Sequence, residues 1–338
     1  MGVRGDMNMI RCSRCILPET FPGIVFNRDG VCNHCARFKE DALPAEKQGK
    51  YEKKFLELIE AQRAESSYDL IMAYSGGKDS TYTLDLFVNR YQLKVVALTF
   101  DNSFISMQSF ENIRTICANL GVDHYTIRPN PSMLHTIFQT ASRQELFSPK
   151  TLERASTICT CCISFVKSIV LRTAIEKRIP FAGFGWSPGQ APVEASVMKT
   201  NPELMRKTQQ ALYEPLHAIA GDAINPYFLS EYHFKEARHF PWNVHPLAFL
   251  EYDEEKIIER NRALGWEKPR DTDANSTNCL LNALANQIHK ERYKFHPYAW
   301  ELANMIRCGA MTRQFALAKI DEPENPGMVL MAKKRLGL

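Results

Sequence analysis

Residues 74–80 read Tyr-Ser-Gly-Gly-Lys-Asp-Ser, between an apolar run, Leu70-Ile71-Met72-Ala73, and a segment, Thr81–Tyr91, with helical periodicity. A strand, a glycine pair and a helix in immediate succession constrain the fold more than any other stretch. Gly76 and Gly77 let successive backbone N–H groups converge on an anion, Ser75 and Ser80 add hydroxyl donors, and the helix presents its positive end. The loop is read as a phosphate cradle. It is not a Walker loop, because Met72 stands where the first glycine belongs and Asp79 separates Lys78 from Ser80. A plain turn before a helix capped by Asp79 or Ser80 would explain the glycines but not the whole string.

The surrounding pattern supplies a sheet for this loop. Strands are expected at 69–74, 94–100, 122–128 and 179–185, with helices at 79–91, 106–120 and about 161–178. Alternation at this spacing predicts an α/β fold with a doubly wound parallel sheet, whose ligands gather at the carboxyl ends of the strands. Helices are also expected at 252–264, 279–294, 298–308 and 312–319. No apolar run approaches the roughly 18 residues of a membrane helix. The start, Met1–Asp6, lacks a signal-peptide core and the Ser or Thr of a myristoylation site, so a cytoplasmic location is expected. A net charge of +4 over 338 residues gives no general nucleic-acid surface.

Ten cysteines in a chain expected in a reducing compartment point to metal or reactive sites. Cys12-x-x-Cys15 and Cys32-x-x-Cys35, 16 residues apart, have the spacing of a zinc ribbon, with Asn27–Gly30 as a hairpin turn between two extended pieces and His34 a bystander. Such a site usually holds a small module together and has no chemistry of its own. A linker at 42–50 and an amphipathic helix from Tyr51 to about Ala64 follow. The expected organisation is a zinc-ribbon module (1–40), a nucleotide domain (51–235) and a mainly helical C-terminal region (236–338).

Ser75, Gly76, Gly77, Lys78, Asp79 and Ser80 match the Ser-Gly-Gly-x-Asp-Ser signature of the PP-loop ATP pyrophosphatases, a HUP-like family that the chain resembles over about residues 65–190. The resemblance implies that ATP is cut between its α and β phosphates while a substrate oxygen becomes attached to AMP. It implies ATP and Mg2+ as cofactors, backbone at Ala73 and Tyr74 flanking the adenine, Phe100 and Asp101 against the adenosine, and Gly183 and Gly185 near the AMP. Lys78 is the natural cation for charge building on pyrophosphate. Asp79 either caps the helix or helps place the metal, and Asp101 is equally ambiguous, since Asp-Asn after a strand is also an ordinary turn.

A second cysteine group bears on what attacks the adenylate. Cys159, Cys162 and Cys279 resemble the three thiolates that hold a [4Fe-4S] cluster in the sulfur-inserting branch of the family, where one open iron suits the carriage of sulfur to carbon. Zinc or a catalytic persulfide would be the other uses of such thiols. Cys161 is an extra thiol with no place in the pattern, and Cys117 and Cys308 are expected in the core. The N-terminal cysteine run and residues 309–317 also resemble the N-acetyl sugar amidotransferases, which take ammonia from a glutaminase partner. Asn275-Ser276-Thr277-Asn278-Cys279 tilts the reading towards sulfur, because ammonia transfer gives no reason for a third cysteine.

Related tRNA thiolases carry a second zinc module at the carboxyl end and paired aspartates in the loop after the fourth strand. This chain has neither, its loop reading Trp186–Pro192. A small molecule or natural-product precursor is therefore favoured over tRNA, with a sulfur donor as partner and a homodimer left open. Substrate contacts are expected from Trp186–Pro192 and from 193–245, with Lys199, Arg206, Lys207, Tyr232, His233 and His245 as candidates. A non-enzymatic zinc-ribbon interaction protein is the remaining alternative, disfavoured by the intact six-residue string.

Overall fold

The computed structural model describes residues 9–38, 44–62, 66–273 and 276–338. Outside them lie the Met1–Asp6 start, the end of the 1–40 module, the first residues of the expected linker, the end of the 51–64 helix, and Asn275. Six strands form one sheet: β1 (Leu70–Ala73), β2 (Val95–Phe100), β3 (Asp123–Ile127), β4 (Phe181–Phe184), β5 (Val197–Lys199) and β6 (Trp242–Val244). Their order is β3-β2-β1-β4-β6-β5, parallel throughout except for β5, which pairs antiparallel with β6 at the edge. β1 and β4 are neighbours at the centre, Leu70 opposite Phe181 and Ala73 opposite Phe184. β1 runs to β2 on one side and β4 on the other, so the loop after β1 opens where strand order reverses.

The central strands are apolar on both faces, as a sheet covered by helices requires. One face packs Ile71, Val96 and Leu98 against the helices Pro131–Arg143 and Thr157–Lys177. The other packs Leu70, Met72 and Val95 against Phe55, Phe87 and Trp266. Thr157–Lys177 is long and apolar enough to cross a membrane by length and composition, contrary to the expectation that no segment approaches this. Its Cys, Thr and Ser residues break any continuous apolar run, and Ile158, Phe165, Ile169 and Ala174 lie in the core.

Several elements differ from the sequence expectation. Residues 44–50, read as linker, are the first turns of the helix Pro44–Gln62. The helix after the phosphate loop, Lys78–Asp85, passes into a π turn at Leu86–Arg90. β6 lies past residue 235 yet belongs to the central sheet. Pro202–Ala220 is one helix although Pro215 lies inside it.

The N-terminal module sits on the C-terminal helices. Ile16, Leu17 and Phe21 share a core with Phe295, Leu302 and Met305, and the Phe21 and Trp300 rings stack at 5.6 Å. Arg313 Nε donates to the Cys15 carbonyl at 2.7 Å, and Arg307 Nη1 approaches Cys35 Sγ at 3.7 Å.

Candidate active site

The Ser75–Ser80 loop is held by its own hydrogen bonds. Gly77 N–H donates to Ser75 Oγ at 3.3 Å, Ser80 Oγ donates to the Gly77 carbonyl at 3.0 Å, and the Ser75 and Ser80 hydroxyls lie 3.0 Å apart. Gly76 has φ +71°, and a Cβ there would stand 2.5 Å from the Ser109 carbonyl, so the position demands glycine twice over. The C-terminal region secures the loop from outside. Trp266 Nε1 donates to the Gly76 carbonyl at 2.9 Å, and Asn261 Nδ2 donates to the Lys78 carbonyl at 2.8 Å.

Lys78 and Asp79 form the first helical turn. Lys78 is nearly buried, and its ammonium donates to Asp79 Oδ1 and to Tyr252 Oη, both at 2.7 Å. Tyr252 Oη donates in turn to Asp79 Oδ1 at 3.0 Å, and burial, with Asp79 adding to it, pushes the phenol well above its ordinary range. Asp79 is therefore not the cap of this helix. Gly77 occupies the N-cap position without a side-chain bond, and the Lys78 N–H donates to Thr277 Oγ1 at 2.9 Å.

Gly183, inside β4, and Gly185, just after it, serve different ends. A Cβ at Gly183 would meet the Phe87 ring at 2.5 Å, so this glycine serves core packing. A Cβ at Gly185 would lie 2.6 Å from Ser80 Cα, so this one lets β4 approach the phosphate loop. Beyond it, Ser187 Oγ donates to Glu301 Oε1 at 2.6 Å and Asn304 Nδ2 donates to the Gly189 carbonyl at 2.9 Å, fastening the 186–190 loop to the helix Ala299–Arg307. Burial, with the Asp79 charge adding to it, pushes the Glu301 carboxyl up to about 7.

At the end of β2, Phe100 turns its ring into the core against Phe165. Asp101 accepts from Ser103 N–H at 2.8 Å and pairs with Arg128 at 3.0 Å, which is the turn reading of that residue. At β1, the Tyr74 carbonyl accepts from Thr99 Oγ1 at 2.7 Å, and Ala73 beside it is half-buried.

Two of the three later cysteines, Cys162 and Cys279, meet at Asn102. Its amide nitrogen lies 3.5 Å from Cys162 Sγ and 3.9 Å from Cys279 Sγ. Cys159 and Cys162 lie in the first turns of Thr157–Lys177, capped by Ser156, and Cys279 is bridged to Ile105 just beyond β2. Burial pushes the Cys159 thiol up to about 11, with Cys279 adding to it, and raises Cys162 and Cys279 as well. Among the described residues, Cys12, Cys15, Cys32 and Cys35 form the one group whose ligand atoms all lie within 4.8 Å of one another. Cys159, Cys162 and Cys279 stand farther apart than that as a trio. Cys161 is a core side chain, and so is Cys117. Cys308, expected in the core, is exposed.

No family model matches the chain. It is 21% identical over 331 residues to an uncharacterized protein of Methanocaldococcus jannaschii, covering 97% of this chain and 99% of the relative. Among solved structures it is similar to the U34-tRNA thiolase NcsA from Methanococcus maripaludis with its [4Fe-4S] cluster, at a TM-score of 0.39 and 13% identity. That match covers 98% of this chain and 89% of the other. It is also similar to NMN synthetase from Francisella tularensis, at a TM-score of 0.37 and 14% identity, covering 88% and 93%. At these scores neither likeness bears on the reaction.

Most of the 193–245 candidates are occupied elsewhere. Arg206 pairs with Glu231, His233 bonds to Ser230 and Glu176, Lys199 lies over Trp242, and Tyr232 and Lys207 are exposed. His245 stands at the site, stacked on Trp186 at 4.5 Å, and burial, with Lys167 adding to it, pushes its imidazole down to about 3. Tyr252, Asn261, Trp266 and Thr277 went unassigned in the sequence because each reaches the 76–78 segment from more than 170 positions away, and Glu301 because it reaches Ser187 from 114 away, with no local signature. In sequence Asn102 reads as half of a turn and, with Thr99–Asp101, as lying against the adenosine, not as a partner of the cysteines.

Proposed function

We propose that the chain is an ATP-dependent enzyme that adenylates a carbonyl, amide or carboxyl oxygen of a small acceptor, releases pyrophosphate, and replaces that oxygen with sulfur. The supporting observation is the Thr277–Cys279 segment: Thr277 bonds to the first N–H of the phosphate-loop helix, and Cys279, two residues on, shares Asn102 with Cys162. One segment thus touches both the activating loop and the thiols. Ammonia transfer gives no role to that contact.

In this reading the acceptor oxygen attacks the α phosphorus, and the bond to the bridging oxygen breaks. The β and γ phosphates leave against the Gly76–Gly77 amides, the Ser75 and Ser80 hydroxyls and the Lys78 ammonium, all fixed in advance and so needing little reorganisation. Asp79, whose Oδ1 faces Lys78, is the carboxylate placed to meet the magnesium that travels with ATP. Carbon–oxygen cleavage then expels AMP, a far better leaving group than the original oxygen.

Three thiols raised by burial stay protonated until a cationic group offsets their charge, and a soft thiolate set suits iron or zinc. Cys159, Cys162 and Cys279 would hold a [4Fe-4S] cluster, which when bound supplies an open iron for sulfide. Asn102 orients two of these sulfurs and lowers the cost of their negative charge. Cys12, Cys15, Cys32 and Cys35 fit one Zn2+: the Cys12–Cys35 and Cys15–Cys32 sulfurs are each 3.9 Å apart, and Cys15 and Cys35 N–H groups donate to Cys12 and Cys32 Sγ. All four sulfurs are buried in the core shared with the C-terminal helices, which suits a structural role. A reducing, cytoplasmic setting suits both thiol groups.

The test is anaerobic purification with iron and zinc assays, absorbance near 400 nm, and pyrophosphate release from ATP. A brown protein that loses colour in Cys162→Ala or Cys279→Ala supports sulfur. A colourless protein holding zinc alone, unaffected by Cys159→Ala, sinks it and leaves ammonia from a glutaminase as the nucleophile.

A further inference from the structure

We propose that the open face of the helix Thr157–Lys177 is the acceptor's bed and that Lys167, with Arg154, binds an anionic group at the acceptor's far end. This rests on the reading that the acceptor's reacting end lies at the cysteines.

Along the first three turns of this helix the positions not buried are Cys159, Cys162, Ile163, Val166 and Lys167. They follow i, i+3, i+4, i+7 and i+8 spacing and so form one stripe. Cysteines stand at one end and the ammonium at the other. Eight residues at 1.5 Å rise separate Cys159 from Lys167 by about 12 Å along the axis. Between them Ile163, 41% exposed, and Val166 make an apolar floor. A bare apolar side chain in mid-stripe, on a helix otherwise built into the core, is the surface a ligand would cover.

The lysine end has no counter-ion. Among the described residues no carboxylate pairs with Lys167; its contact is the Trp186 ring, 4.4 Å from the ammonium. The one charged group among them that acts on it is Arg154, exposed and likewise without an ion pair, while His245, stacked on Trp186, is kept neutral by burial. Burial, with Arg154 adding to it, pushes Lys167 down to about 8. A half-buried ammonium that lacks an acid is costly unless an anion completes it. Trp186 follows Gly185, whose backbone packs close against Ser80, so this end lies beside the phosphate loop. The ligand class is a small acceptor carrying a phosphate or carboxylate about 12 Å from the atom that reacts.

Trp186 reports the site directly. Inorganic phosphate and acetate are titrated into the full chain with magnesium and a non-hydrolysable ATP analogue present, following tryptophan emission, with Trp186→Phe assigning the signal. Phosphate or acetate binding that weakens about tenfold in Lys167→Met or Lys167→Gln and stays within about threefold in Lys167→Arg supports the proposal. The stronger of the two anions names the group. Binding in both Met and Gln variants within about twofold of the unsubstituted chain, or no Trp186-dependent change in that chain, overturns it. Pyrophosphate release from ATP is measured separately, so failure of the activation reading leaves the anion result legible.

Discussion

The backbone N–H of Lys78 donates to the Thr277 hydroxyl across 199 residues of sequence, at 2.9 Å. That N–H opens the helix behind the phosphate loop, and Gly77, as N-cap, has no side chain to receive it. Thr277 is therefore a cap supplied from a distant segment, and its hydroxyl uses a donor that a phosphate oxygen would use in turn. The next residues hold the third cysteine, so a ligand entering the loop must share or displace the contact that positions Cys279.

Thr277→Val tests this. Without nucleotide the variant should lose about 1 kcal/mol in urea unfolding, the usual worth of a cap. With saturating ATP and magnesium, phosphate takes over the orphaned N–H and the difference should shrink towards zero. An undiminished difference with nucleotide bound would show that the hydroxyl and the phosphate use different donors.

The four glycines should separate by mechanism. Gly76→Ala meets both a left-handed φ and a backbone carbonyl at 2.5 Å, neither able to yield, and should cost more than about 2 kcal/mol. Gly183→Ala presses on the Phe87 ring and should destabilise through overpacking, by about 1–3 kcal/mol, with ATP affinity spared. Gly185→Ala meets Ser80 backbone, so it should weaken ATP at least as much as it weakens the fold. In Gly77→Ala the obstacle is the Thr277 hydroxyl at 2.9 Å, a side chain that can turn, and the protein should fold with its cap lost. Melting curves with and without ATP give the order.

The phosphate loop and the first four strands were legible because each rests on contiguous residues: apolar runs make buried strands, and six adjacent residues make a cradle. The zinc-spaced cysteines were legible for the same reason, with two tight turns and one hairpin. What holds these parts was not. Tyr252 joins Lys78, Trp266 joins Gly76 and Glu301 joins Ser187 only after the C-terminal helices fold back, and no local pattern marks such pairs. Pro215 would read as a helix end, but its helix continues because tertiary packing outweighs a lost hydrogen bond. Gly183 and Gly185 look alike in sequence, and only their neighbours tell them apart.

The N-terminal four-cysteine module should act as a brace for the site. Arg307 reaches Cys35 Sγ from the same helix whose Glu301 and Asn304 fasten the 186–190 loop. Cys12→Ser should release about one equivalent of zinc and lower the melting temperature. Absorbance near 400 nm from the second cysteine group should remain. Arg307→Ala should keep the zinc yet loosen the loop, read as faster hydrogen exchange at 186–190. Unchanged exchange there would confine the module to its own stability.

Glu301 gives a pH dependence with a definite sign. Its carboxyl is raised to about 7 when folded against an ordinary 4.5, chiefly by burial and then by Asp79. Below the ordinary value the group is protonated in both states and costs nothing. As pH rises from 4.5 towards 7 the unfolded chain ionises first, so the native state loses stability, and above 7 the whole penalty is present. Glu301→Gln removes the charge and keeps an acceptor for Ser187. Its stability should match that of the unsubstituted chain near pH 4 and exceed it by roughly 2 kcal/mol at pH 8, with the divergence between those limits. Asp79→Asn should shift that divergence to lower pH, since it removes the neighbouring charge. Urea unfolding of the three proteins across this range decides it, and parallel stability profiles for the Gln variant and the unsubstituted chain would mean the Glu301 carboxyl is solvated rather than held against Asp79.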